Sequence, residues 1–138
     1  LIPGENDSIQ ELEALTQWIF ENLGPDVPLH FSAFHPDWKL QDRASTPRSA
    51  LLAARRIAKQ NGLRHVYVGN VASQEGESTI CHHCENLLIG RDRYELTEWN
   101  LTDGGACGAC GTACAGVFEA TPGTWGAKRM SVHLHGER

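Results

Sequence analysis

The first regularity along the chain is an apolar stripe. Leu12, Leu15, Ile19 and Leu23 recur at helical spacing, which predicts an amphipathic helix. Ser8 is its expected cap, Glu11 completes a capping box, and Gly24-Pro25 stops it. The period then changes to two. In VPLHFSAF (27–34), Val27, Leu29, Phe31 and Ala33 share one face, while His30, Ser32 and Phe34 point the other way. This predicted strand is therefore polar on one side. Thr46 and Pro47 open a second helix, as cap and first helical residue, with Leu51, Ala54, Ile57 and Ala58 as its buried stripe and Gly62 at its end. His65 to Val68 form a further short strand. Ahead of all these, Leu1, Ile2 and Pro3 read as the last residues of a buried strand, followed by a tight loop from Gly4 to Asp7.

Residues 1–70 thus alternate strand, helix, strand, helix, strand. Crossovers of this kind are nearly always right-handed and place the strands parallel in one sheet. Two helices would leave much of that sheet uncovered. A small complete α/β domain is one reading. The other, expected here, is the closing segment of a larger barrel or open α/β sheet, with the first strand a stub. Ligands in such sheets gather at the carboxyl ends of the strands. Three segments occupy that rim: residues 4–7, the long loop HPDWKLQDRAS (35–45), and Gly69-Asn70. The middle loop exceeds the usual length of such a connection and holds His35, Asp37, Trp38, Lys39, Asp42 and Arg43. It is either a ligand loop or a solvated one with Trp38 folded back as an apolar plug.

From Val71 the pattern changes. VASQEGEST (71–79) reads as a linker, residues 80–120 as a second module, and 121–138 as an extended tail. Cys81 and Cys84 form one C-x-x-C pair, and Cys107 and Cys110 form another 22 residues later. Two such turns can converge four sulfurs into a closed tetrahedron, the chemistry of a structural zinc ribbon. Short strands are expected at 87–89 and 94–97, around a turn at Gly90 to Arg93. The same sulfurs could hold a single iron. Cys107, Cys110 and Cys114 could instead be three legs of an iron–sulfur cluster, although that would strand Cys81 and Cys84. Cys114 is more simply a partly buried thiol, and His82 and His83 are more simply solvated. His133 and His135 alternate in the tail, where a terminal metal site is conceivable.

Composition narrows the class. With 138 residues there is room for one domain plus a small module. A net charge of −5 gives no footprint for nucleic acid or an anionic membrane, and no apolar run approaches the roughly 20 residues needed to span a bilayer. Five cysteines, four of them in C-x-x-C pairs, fit metal binding in a reducing compartment, so a cytoplasmic location is expected.

Taken together, LIPGENDS, PLHFSAFHPDWKL, LRHVYVGNV and a C-x-x-C ribbon ending CGTACAGVFE resemble the C-terminal part of radical S-adenosylmethionine (SAM) enzymes of the AmmeMemoRadiSam group. These are relatives of the pyruvate formate-lyase activating enzyme. The resemblance implies that residues 1–70 are the last βαβαβ segment of a partial (β/α) barrel, and that a missing N-terminal part carries a C-x-x-x-C-x-x-C loop binding a 4Fe–4S cluster. That motif is absent from this chain. It implies SAM as cofactor, a protein or peptide as substrate, and Memo-like or AMMECR-like proteins as partners. It places His35, in SAFH, where a histidine helps to hold SAM, and Gly4, in LIPG, where backbone can approach the cofactor. The competing reading is a stand-alone zinc-ribbon adaptor with no catalysis; electron transfer through a single iron is a third.

Overall fold

The computed structural model describes residues 1–124, 126 and 128, so His133 and His135 and most of the expected tail lie outside the described residues. Helix α1 spans Ile9–Leu23, and the Ser8 hydroxyl accepts from the Glu11 amide at 3.3 Å. Strand β1 is Leu29–Ser32, helix α2 is Arg48–Gln60, and strand β2 is Val66–Gly69. The two strands pair in parallel, from Leu29 opposite Val66 to Ser32 opposite Gly69. Leu1 lies on the other side of β1, where its nitrogen donates to the Ser32 carbonyl at 2.7 Å.

Both helices cover the same face of this sheet. Leu12 and Ile19 of α1, Leu51, Ala54 and Ala58 of α2, and Phe31, Val66 and Val68 belong to one buried cluster. The opposite face carries His30 and Tyr67, whose rings stack with centroids 5.0 Å apart. Thr16 is fully buried in α1 and accepts from the Asn61 side-chain amide at 2.8 Å, which pins the middle of α1 to the end of α2. The expected stripe of α1 is only half correct. Leu12 and Ile19 are buried, but Leu15 and Leu23 are 45% and 58% exposed, as are Trp18 and Ile9 at 56% and 61%. Buried contacts belong to Leu12, Thr16 and Ile19, so the helix faces α2 through a narrower stripe than its composition predicts.

Thr46 does not cap α2. The cap position is Pro47, and the buried Thr46 hydroxyl instead accepts from the Phe34 amide at 2.8 Å and donates to the Leu1 carbonyl. Arg55 is buried as well. Its Nε donates to the Val66 carbonyl at 3.0 Å and its Nη1 meets Glu75 at 3.1 Å, so a charged side chain occupies the outer edge of β2. A buried guanidinium without such partners would be costly.

The segment expected as a linker, 71–79, is ordered against the sheet. It contains a helical turn, α3 (Gln74–Glu77), capped by Ser73, and leads into β3 (Thr79–Ile80). Strands β4 (Leu87–Asp92) and β5 (Glu95–Trp99) complete an antiparallel sheet in the order β3-β4-β5. The hairpin turn falls at Arg93 and Tyr94, later than expected, because Gly90 and Arg91 are paired in β4 and Arg93 takes the left-handed conformation (φ 55°). Among the described residues the chain is a mixed α/β protein with two small sheets. No helix among the described residues is long and apolar enough to cross a membrane.

Two stability tests follow from this packing. A Cβ at Gly76 would stand 2.2 Å from Val68 Cγ2. Gly76→Ala should therefore destabilise by about 1–3 kcal/mol through overpacking, outweighing the roughly 1 kcal/mol of helix propensity it gains, as read by urea unfolding. His65 is 6% exposed, and its Nε2 has no hydrogen-bond partner among the described residues. Burial lowers its pKa, against the opposing pull of Asp26. The folded state therefore favours neutral imidazole, while the unfolded chain takes up a proton near its ordinary value of about 6.5. Stability should be fully present above that value and decline as pH falls below it. Urea unfolding of His65→Leu, compared with the parent chain at neutral and mildly acidic pH, should show a flatter dependence.

Candidate metal centre

Strands β3 and β4 position the first C-x-x-C turn, and short bridges between Leu101 and Cys107 and between Ala106 and Ala113 position the second. The two turns repeat one backbone design. The Cys81 amide donates to the Asn86 carbonyl, and the Cys107 amide to the Thr112 carbonyl, each at 2.8 Å. The Glu85 amide returns to the Cys81 carbonyl at 3.0 Å, and the Gly111 amide to the Cys107 carbonyl at 2.8 Å. Glu85 (φ 60°) and Gly111 (φ 74°) both occupy the left-handed region that closes the turn. Spacing predicts the two turns; their matching closure is visible only in three dimensions.

All four sulfurs lie within 4.8 Å of one another. The Cys81–Cys110 and Cys84–Cys107 pairs are 3.8 and 3.7 Å apart. Metal–sulfur bonds of about 2.3 Å in a regular tetrahedron place sulfurs about 3.8 Å apart, so these two pairs already have the spacing of a tetrathiolate site and the remaining pairs lie within 4.8 Å. Cys81 and Cys107 are buried, whereas Cys84 and Cys110 face solvent. The thiols cannot all ionise side by side unaided. Cys110 is held down at about 5, first by the Thr112 hydroxyl and amide and then by Cys84. The Asn86 amide draws Cys84 down, but hydrogen bonding with Cys110 and the crowding of the other thiols push it up to about 12. A bound dication would relieve this conflict by coordinating every sulfur as thiolate and offsetting half of the four negative charges.

Cys114 stands outside the tetrad, buried, with its amide on the Gly105 carbonyl at 3.0 Å and its thiol raised by burial. His82 and His83 are exposed, and neither belongs to the metal-ligating group. Electrostatic contacts link His82 with His65, Glu85 with Lys59, and Cys114 with Asp26. The tetrad therefore lies toward the amino ends of β1 and β2, away from the rim.

At the rim, the loops predicted to meet do so. Arg43 of the long loop pairs with Glu5 at 2.6 Å. His35 is exposed, with Nδ1 3.0 Å from Ser45 Oγ, and Gly4 (φ 78°) donates to Asp7 Oδ1 at 2.8 Å. Trp38 is not a plug. It is 77% exposed, in a left-handed conformation (φ 46°), with the Lys39 ammonium 4.5 Å from its ring centroid.

The fold and site define a mixed α/β chain carrying a four-cysteine centre positioned to bind a metal. A Methanocaldococcus jannaschii protein described only as uncharacterized is 42% identical over 112 residues, a match covering 80% of this chain and 34% of that protein. The chain thus spans about a third of the length of the curated relative it matches. No family model and no solved structure matches it.

If the tetrad is the whole ligand set, Cys107→Ser should lose most of its metal and unfold at lower temperature. Cys114→Ser should keep about one ion per chain by elemental analysis. Metal loss in the Cys114 variant would contradict the four-ligand assignment.

Proposed function

We propose that the chain is the C-terminal part of a radical SAM enzyme of the activating-enzyme type, that its tetrad holds a structural zinc, and that the whole protein acts on a protein or peptide in the cytoplasm. The observation that carries this reading is the one-sidedness of the parallel sheet. Leu1, β1 and β2 follow one another across it, both crossover helices share one face, and the other face presents His30 and Tyr67. A barrel is built in this way, with helices outside and ligand-facing groups within. The apolar residues left exposed on α1, Leu15, Trp18 and Leu23, fit a helix that packs against more of a larger fold.

SAM held on a 4Fe–4S cluster would supply a 5′-deoxyadenosyl radical for hydrogen abstraction, and the cluster ligands belong to sequence outside this chain. The residues here bind and orient. His35 stands at the rim with Nδ1 fixed by Ser45, leaving Nε2 for the adenine, while Gly4 offers backbone to the cofactor. The zinc, closed by four thiolates and set toward the opposite strand ends, takes no substrate and holds the ribbon together. The AMMECR-like and Memo-like proteins are the partners this reading suggests.

Sequencing the parent gene upstream of Leu1 tests the reading directly: without C-x-x-x-C-x-x-C in frame it fails, and the adaptor reading takes its place. With the motif present, anaerobically reconstituted parent should contain cluster iron beside one equivalent of zinc. A red protein with iron in the tetrad would overturn the zinc assignment. By calorimetry, His35→Ala in that parent should weaken SAM binding several-fold; unchanged affinity removes His35 from the site.

A further inference from the structure

The ribbon does more than hold a metal. The turn end of its β4–β5 hairpin, from Arg91 to Tyr94, and the second face of the parallel sheet line a cleft of about 800 Å³. Tyr67 joins the two walls, with its hydroxyl 3.0 Å from Thr79 Oγ1 and the Arg91 guanidinium 5.7 Å from its ring centroid. The floor is aromatic, from the stacked rings of His30 and Tyr67. The hairpin side contributes Arg91, Arg93 and Tyr94, and Tyr94 is 76% exposed.

The charges at this cleft do not cancel. Arg91 Nη1 donates to the Glu77 carbonyl at 3.2 Å and to Thr79 Oγ1 at 2.8 Å, both uncharged acceptors. Among the described residues neither Arg91 nor Arg93 forms a salt bridge. The carboxylate lining the cleft, Glu77, is already occupied by backbone: Oε1 accepts from the Ser73 amide at 3.0 Å and Oε2 from the Arg93 amide at 2.8 Å. A chain of net charge −5 thus sets two guanidiniums without ionic partners over an aromatic floor. Guanidinium groups recognise carboxylate and phosphate through paired hydrogen bonds.

We propose that this cleft binds a small amphiphilic anion, with an oxyanion on Arg93 and Arg91 and a flat apolar body against His30 and Tyr67. The site excludes His35 and Gly4 but shares Gly69 and Asn70 with the rim, and anion binding there does not require radical chemistry. Its volume lies within the range of small-molecule sites, about 300–1,000 Å³.

Calorimetry and amide NMR on the metal-loaded chain test the proposal, with phenyl phosphate and phenylacetate as probes and phenethylammonium as the charge control. Saturable binding of an aryl anion is expected, with shifts at Asn70, Arg93 and Tyr94 and none from the ammonium compound. The tighter of the two anions identifies phosphate or carboxylate as the natural group. Arg93→Gln, on an exposed turn, should weaken binding about five- to tenfold, and Arg93→Lys should recover part of it. Absence of saturation by both anions, equal binding of the cation, unchanged affinity in Arg93→Gln, or shifts centred on His35 would each overturn it. The two proposals share the His30–Tyr67 face but fail separately: no SAM or cluster enters this assay, and the upstream C-x-x-x-C-x-x-C motif is read without it.

Discussion

Convergence of four thiols on one point is the constraint on which the ribbon depends. Among the described residues its buried apolar cluster contains Cys81, Cys107 and Cys114 beside Leu88, Ile89 and Leu101, with the half-buried Trp99 and Phe118 packed against it. A core that small cannot offset the conformational entropy of ordering some forty residues, and metal binding supplies folding free energy that apolar burial does not. Crowding makes the same point from the opposite direction. Sulfurs 3.7–3.8 Å apart settle into an uneven set of protonation states when nothing neutralises them. An ion held by the four cysteines would relieve that charge conflict and fix both turns, and through them the direction of β4 and β5.

That direction matters because the ribbon is not an independent bead. The helical turn at 74–77 seats Gly76 on Val68, and Tyr67, Thr79 and Arg91 form a polar seam between the sheets. The four-cysteine end lies toward the amino ends of the parallel strands, and the hairpin tip lines the same cleft as Asn70 and Val71, beyond the carboxyl end of β2. A metal clasp at one end can therefore hold arginines at the other, where ligands of α/β sheets gather. Arg55 contributes the remaining constraint: by taking the Val66 carbonyl it occupies the outer edge of β2 with charge, a feature that disfavours addition of another strand there.

Local pattern was sufficient for much of this. The periods of two and of helical spacing in residues 9–68, the Ser8 cap and the two C-x-x-C turns are properties of neighbouring residues, and each appears close to where the spacing puts it. So does the polar face of β1, because alternation along a strand leaves no choice about which side chains share a side. Errors arose where a local preference met a distant partner. Thr46 has the chemistry of a cap but spends its hydroxyl on Phe34 and Leu1. Leu15 and Leu23 have the spacing of core but nothing in this chain covers them among the described residues. Gly90 looks like a turn yet is paired within β4, and residues 71–79 look like a linker yet pack.

The sequence by itself determined which residues could ligate a metal, which strand faces would be polar, and that the chain would be α/β with a cysteine-rich appendix. Only the tertiary structure decided that both helices lie on one side, that the four sulfurs converge within 4.8 Å of one another, and that Arg91 and Arg93 line one cleft with His30 and Tyr67. The physical reason is sequence distance. Period and capping are settled within a turn or two of backbone, whereas the cleft brings together groups from His30 to Tyr94 whose meeting depends on how two sheets are set against each other.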